Sequence, residues 1–137
     1  MSSGLAAVVM AGGLGTRMRS ATPKHLHPLL GRRMVDWVIA TAADAGADEI
    51  VVVASPETAA DFADVTVAVQ EQALGTGDAV RAARGLLDGA NGEVLVLSGD
   101  TPLLSPALLD ELVETHRREA AAATVLSFEP EDRKSVV

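Results

Sequence analysis

Residues 8–24 read VVMAGGLGTRMRSATPK, and the break from an apolar run into a glycine-rich loop there decides how the rest of the chain is read. Residues 5–10 are apolar, partly β-branched and bounded by turn residues, so they are expected to form a strand buried on both faces, as in a parallel sheet. Residues 11–16 form the loop. Gly12, Gly13 and Gly15 lack a Cβ, so the backbone there can turn through positive φ and let a phosphate approach, while successive amides make an anion-binding nest. Behind the loop, Arg17 offers a planar bidentate fork for phosphate and Lys24 a mobile point charge. A tight surface turn whose glycines only satisfy geometry is the other reading of the loop taken by itself. Two common glycine motifs do not fit: Met18 stands where the dinucleotide fingerprint wants a small residue, and no Gly-Lys-Ser/Thr ending follows as a P-loop needs.

Working outward, the pattern alternates. Pro23 and Pro28 keep residues 22–30 extended or turned. Val35, Val38, Ile39, Ala42 and Ala43 recur at helical spacing, with Gly46 placed as a C-terminal cap. Further strands are expected over 50–54, 65–70, 93–97 and 124–128. Ser55-Pro56 starts a short helix over 57–62. Val80, Ala83 and Leu87 mark a helix ending near Gly89, and Ser105-Pro106 caps one whose stripe is Leu108, Leu109, Leu112 and Val113. This order implies an α/β fold, a Rossmann-like, mainly parallel sheet flanked by helices. Ligands in such sheets sit at the C-terminal ends of the strands, where residues 11–24, 70–77 and 98–102 should all open, and this shared position favours a binding loop over a surface turn.

The whole chain of 137 residues has the length of one domain, and its 11 basic against 19 acidic residues give a net charge of −8, which argues against a nucleic-acid partner. With no cysteine, disulfides and thiolate metal sites are excluded, and a reducing compartment fits. Neither a leader nor an apolar run of membrane-spanning length is read, so no membrane partner is expected and the location is expected to be cytoplasmic. Hydrophobic residues reach 48% but aromatics only 2%, so the core must be built from Ala, Val, Leu and Ile.

Among residues able to do chemistry, Asp100 ends a strand before Thr101-Pro102 and has two readings: a hard-cation ligand, since Mg²⁺ sites use one or two carboxylates plus substrate phosphates, or a turn carboxylate accepting backbone amides. Gln70 ends a strand at the same edge, where its amide can donate and accept to a base or stabilise a turn. Glu71 and Asp78 read as solvated charge. His25 and His27 lack a third ligand cluster and read as packing or hydrogen-bonding groups, His116 as surface and Trp37 as packing.

These segments in combination resemble the sugar-nucleotide pyrophosphorylases of the nucleotide-diphospho-sugar transferase family. They are Val9-Met10-Ala11-Gly12-Gly13-Leu14-Gly15-Thr16-Arg17-Met18, Pro23-Lys24, Leu26-His27-Pro28-Leu29, Gln70-Glu71-Gln72, Leu74-Gly75-Thr76-Gly77 and Gly99-Asp100-Thr101-Pro102-Leu103. The order and spacing are most similar to the uridylyltransferase domain of bacterial N-acetylglucosamine-1-phosphate uridylyltransferases, over residues 5–128. The resemblance implies transfer of UMP from UTP to N-acetylglucosamine 1-phosphate, giving UDP-N-acetylglucosamine for peptidoglycan and cell-wall synthesis and releasing pyrophosphate, with Mg²⁺ as cofactor. It implies nucleotide contacts at Met10, Ala11, Gly12, Gly13, Lys24, Gln70, Gly75, Thr76, Ser98, Gly99 and Asp100, catalytic charge at Arg17 and Lys24, and the metal at Asp100. Two departures stand out: the family usually has a second alanine at position 12, and after Phe128 the family's sugar-binding segments and acetyltransferase domain have no counterpart in residues 129–137. The expectation is therefore the N-terminal part of one nucleotidyltransferase domain, C-terminally truncated, with little activity by itself and homo-oligomerisation a property of a full-length protein. A non-catalytic nucleotide-binding half-domain with a regulatory or partner-dependent role is the alternative.

Overall fold

The structure is a computed structural model that describes residues 4–12, 26, 28–87, 92–127 and 129. Its centre is strand β1 (Leu5–Ala11), in which Ala6, Ala7, Val8 and Val9 are all fully buried. A strand buried on both faces must satisfy its backbone in the plane of the sheet, and β1 does so on both sides. It pairs in parallel with β4 (Glu49–Ala54), from Ala6 opposite Glu49 to Ala11 opposite Ala54. On its other side it pairs in parallel with β6 (Glu93–Ser98), from Leu5 opposite Glu93 to Met10 opposite Ser98. Strand β5 (Thr66–Val69) adds to β4, giving the order β5-β4-β1-β6 with every neighbour parallel.

The two faces of the sheet are covered by different helices. On one face, Leu5, Ala7, Val9 and Ala11 meet α1 (Met34–Asp44) through Val35, Val38 and Ala42, and α3 (Pro106–Arg118) through Leu109 and Val113. On the other, Val8, Val51, Val53 and Ala68 meet Ala79 and Ala83 of α2 (Thr76–Ala83). The core is aliphatic, as the composition requires, with Phe62 the one aromatic side chain fully buried among the described residues.

The helix ends follow local chemistry. Ser105 Oγ accepts the Leu108 amide at 3.2 Å with Pro106 in the first turn, the cap read from the sequence. Gly46, at φ +91°, closes α1 with its amide on Ala43 and the next amide on Ala42. At the other end of α3, Arg117 makes two 3.0 Å bonds to Glu93, and that hydrogen bonding holds the Glu93 carboxyl below its usual range. The pair ties the last turn of α3 to the first residue of β6.

Three elements differ from expectation. A small hairpin of β2 (Pro28–Leu29) and β3 (Arg32–Arg33) turns at Leu30 (φ +50°) and Gly31 (φ +83°), the two positive φ values that suit a two-residue hairpin. Trp37 holds it to α1, donating from Nε1 to the Leu29 carbonyl at 2.8 Å with the Arg32 guanidinium 5.1 Å from its ring. The helix expected over 57–62 is a 3₁₀ turn at Ala59–Phe62 that starts after Thr58, and the Ser55 hydroxyl expected to cap it instead shares a hydrogen bond with Thr58 Oγ1 at 3.0 Å. The strand expected over 124–128 does not form within 124–127, whose Val125 is 84% exposed: apolar alternation makes a strand only where a partner ladder exists, and among the described residues nothing pairs with the outer edge of β6.

Gly92, just before β6, packs against the Gly4 backbone so closely that an added Cβ would overlap the Gly4 carbonyl, whereas a Cβ at Gly85 would meet nothing within 4 Å. Gly92→Ala is expected to destabilise the fold by about 1–3 kcal/mol by forcing the β1–β6 pair apart at its start. Gly85→Ala should be near neutral. Urea denaturation compares them, and equal midpoints would contradict this packing.

Candidate functional site at one sheet edge

Because all four main strands run the same way, their C-terminal ends share one edge, and the chain's path reverses there between β1 and β6. Gly12 continues directly from β1. The Gly99 amide donates to the Met10 carbonyl at 2.9 Å, carrying the β1–β6 ladder one step past Ser98 and burying Gly99. The chain then turns tightly, with Thr101 Oγ1 donating to the Ser98 carbonyl at 2.8 Å and Ser98 Oγ donating to Asp100 Oδ1 at 2.5 Å. Asp100 is thus a turn residue just past the end of β6, a half-buried carboxylate held by the Ser98 hydroxyl. Among the described residues no three His, Cys, Asp or Glu side chains gather into a metal cluster. Mg²⁺ sites commonly use one or two carboxylates together with phosphate oxygens of a ligand.

Gln70 stands at the same edge, one step past β5, its amide nitrogen bonded to the Ala54 carbonyl at 2.8 Å. It is only 8% exposed. Its Nε2 donates to the Gly75 carbonyl at 3.3 Å and to Asp78 Oδ2 at 3.0 Å, while its Oε1 lies against Gly12, where an added Cβ would stand 2.9 Å away. Gly12 therefore adjoins the Gln70 amide directly and, through Met10 and Gly99, the Asp100 turn. Gly75 (φ +111°, ψ 178°) leads into α2, whose first residue is the exposed Thr76. So Met10, Ala11, Gly12, Gln70, Gly75, Thr76, Ser98, Gly99 and Asp100 share one edge. Gly13, Arg17, Lys24, His25 and His27 lie outside the described residues.

Two residues depart from the sequence reading. Asp78 is not a solvated charge but the partner of Gln70, a contact between residues eight apart that no periodicity signals. His116 is part-buried, its Nδ1 2.9 Å from Thr124 Oγ1, and so anchors the segment after α3. Arg33 is spoken for by structure: its guanidinium makes bonds of 2.8 and 2.7 Å to Asp36, donates to the Asp61 carbonyl at 2.7 Å and lies 5.1 Å from the Phe62 ring. Its hydrogen bonding to Asp36 raises its pKa further above its usual value.

Residues 7–136 match the family model of the MobA-like NTP transferase domain. The chain belongs to that family. This NTP transferase domain is 47% identical over 129 residues to the bifunctional protein GlmU of Trichlorobacter lovleyi, with 89% of the chain and 28% of that relative covered. The chain thus spans about a quarter of that relative's length, and the resemblance read from its motifs holds. In fold it is similar to the UDP-glucose pyrophosphorylase of Acinetobacter baumannii (TM-score 0.73, 20% identity, 86% of this chain and 54% of that one). It is also similar to Rv0371c of Mycobacterium tuberculosis, solved in complex with manganese (TM-score 0.67, 21% identity, 84% and 60%). No helix among the described residues is long and apolar enough to cross a membrane.

Since a Cβ at Gly75 would meet nothing within 4 Å, any cost of Gly75→Ala is conformational rather than steric. That φ,ψ pair is nearly glycine-only, so the substitution is expected to cost about 1–3 kcal/mol in urea denaturation. A variant as stable as the parent would show that the backbone there is relaxed.

Proposed function

We propose that this domain takes part in uridylyl transfer, binding UTP at the common edge of β1, β5 and β6 so that a sugar 1-phosphate, N-acetylglucosamine 1-phosphate by the likeness to GlmU, can attack its α-phosphorus. A phosphate oxygen of the sugar forms the new bond, the bond from the α-phosphorus to the bridging oxygen breaks, and pyrophosphate leaves. The observation that carries this reading is the meeting of Gly12, Gln70 and the Ser98–Asp100 turn at the point where the strand order reverses. The Gln70 amide is suited to the base, the backbone after β1 to the phosphates, and Asp100 to a divalent cation.

Phosphoryl-type transfer asks a protein for positioning and charge stabilisation more than for covalent chemistry. In this reading Gly12 and Gly13 let the nucleotide approach the backbone, Gly75 and Thr76 border the base, and Arg17 and Lys24 meet the phosphates. Asp100, with phosphate oxygens of the nucleotide, would hold Mg²⁺, which supplies positive charge against the departing pyrophosphate. The setting we propose is a cytoplasmic protein of cell-wall precursor synthesis, of which residues 1–137 are the nucleotide-binding part of a single nucleotidyltransferase domain.

Calorimetric titration tests the ligand. The chain is expected to bind UTP more tightly than ATP or GTP, to bind it more tightly with Mg²⁺, and to lose most of that metal enhancement in Asp100→Ala. Equal affinity for purine nucleotides, or an unchanged metal effect, would contradict the reading.

Steady-state kinetics test Arg17 in a protein that carries the complete reaction. An arginine that meets charge growing on pyrophosphate acts mainly in the transition state, so Arg17→Ala should lower kcat and kcat/KM together by about a hundredfold or more. Lysine should rescue only partly, keeping the charge without the fork. A change confined to the KM for UTP would make Arg17 a binding residue only.

A further inference from the structure

We infer that Asp78 is a positioning residue for base selection: it fixes which end of the Gln70 amide faces the base, so that the site takes a pyrimidine carrying a hydrogen on N3 and disfavours one with a lone pair there. The inference rests on the uridylyl reading above and names the residue that makes its base choice.

A carboxamide can face a base either way round, offering its oxygen as an acceptor or its NH₂ as a donor, and its other neighbours decide which. Gln70 has two neighbours on one side, the Asp78 carboxylate at 3.0 Å and the Gly75 carbonyl at 3.3 Å. Both can only accept. Both hydrogens of Nε2 are thereby engaged, and turning the amide over would set its oxygen against two other oxygens. Asp78 is well placed to enforce this, because it sits in the first turn of α2, where the helix amides favour a carboxylate.

What remains for a ligand is Oε1. It has no hydrogen-bond partner among the described residues, although Gln70 is more than nine-tenths buried, and it lies against Gly12 where the chain leaves β1. A buried acceptor left unmatched is uncommon in folded proteins, and a donor on a bound molecule is a group that completes it. Uracil and thymine present N3–H, a donor that this oxygen can accept; cytosine presents a lone pair at N3, which it repels. Gly12 contributes space, since a methyl there would stand 2.9 Å from Oε1.

The test is calorimetric titration of the 137-residue chain with UTP, dTTP and CTP, all with Mg²⁺, so that the shared triphosphate cancels and the base is compared alone. The parent is expected to bind UTP and dTTP alike and CTP more weakly. Asp78→Asn keeps the shape but offers either a donor or an acceptor to Gln70, so it should reduce the UTP-to-CTP preference on the order of tenfold, the weight of one buried hydrogen bond. Asp78→Glu should restore part of it. The Gln70 side-chain NH₂ resonances should shift in Asp78→Asn without ligand, a readout that does not depend on nucleotide binding. An unchanged preference in folded Asp78→Asn overturns the inference. If that variant does not fold, Asp78→Ala decides, because it removes the acceptor from Gln70 Nε2 without offering a donor in its place: a reduced preference supports the inference and an unchanged one overturns it. A parent chain that binds UTP and CTP alike also overturns it, yet leaves the purine and metal comparisons that test the preceding reading intact; a parent chain that binds no UTP fails that reading itself.

Discussion

Everything at the candidate site depends on β1 being paired in parallel on both sides. A strand with both faces buried has no water to satisfy its amides and carbonyls, so its neighbours must. Here β4 and β6 do so along its whole length. Once the strands are parallel, the chain must return to the starting edge after each one, by α1 between β1 and β4, by the 3₁₀ turn between β4 and β5 and by α2 between β5 and β6, and every C-terminal end falls on one edge. The edge collects Gly12, Gln70 and Asp100 from distant parts of the sequence as a consequence of this topology.

The same constraint explains why the site groups are held firmly. Gly99 and Gln70 each continue a ladder one step beyond a strand, with bonds of 2.9 and 2.8 Å to Met10 and Ala54, so the backbone under the Asp100 turn and under the Gln70 amide belongs to the sheet. Hydrogen bonds then hold the side chains: a short one from Ser98 to Asp100, and longer ones from Gln70 to Gly75 and Asp78. A site built in this way is preorganised, and preorganised dipoles and charges are what phosphoryl-type transfer draws on.

Much of this was legible in the sequence, and the rest was not, for physical reasons. Buried parallel strands write themselves as continuous apolar runs, so β1, β4 and β6 could be placed within a residue, and the Ser105-Pro106 start of α3 followed from its capping chemistry. The hairpin at 28–33 escaped because its strands are two residues long and its turn uses a leucine at positive φ, which residue type does not announce. Val125 and Leu126 carry a strand's composition without a strand's partner, and composition cannot say whether a ladder is there to join. At the site, positions were readable because they follow strands; pairings were not. That Asp78 would reach Gln70 depends on how the 71–75 loop folds back, and that fold rests on the backbone angles of Gly75.

The central claim is that one sheet edge binds the nucleotide, and amide chemical-shift mapping during titration with UTP and Mg²⁺ tests it most directly. The account predicts that the shifts gather at Gly12, Gln70, Gly75, Gly99 and Asp100, while Glu49 and Glu93 at the opposite ends of β4 and β6 stay still. Shifts gathered instead at that opposite edge, or along Val94 and Val96 on the outer strand, would contradict it.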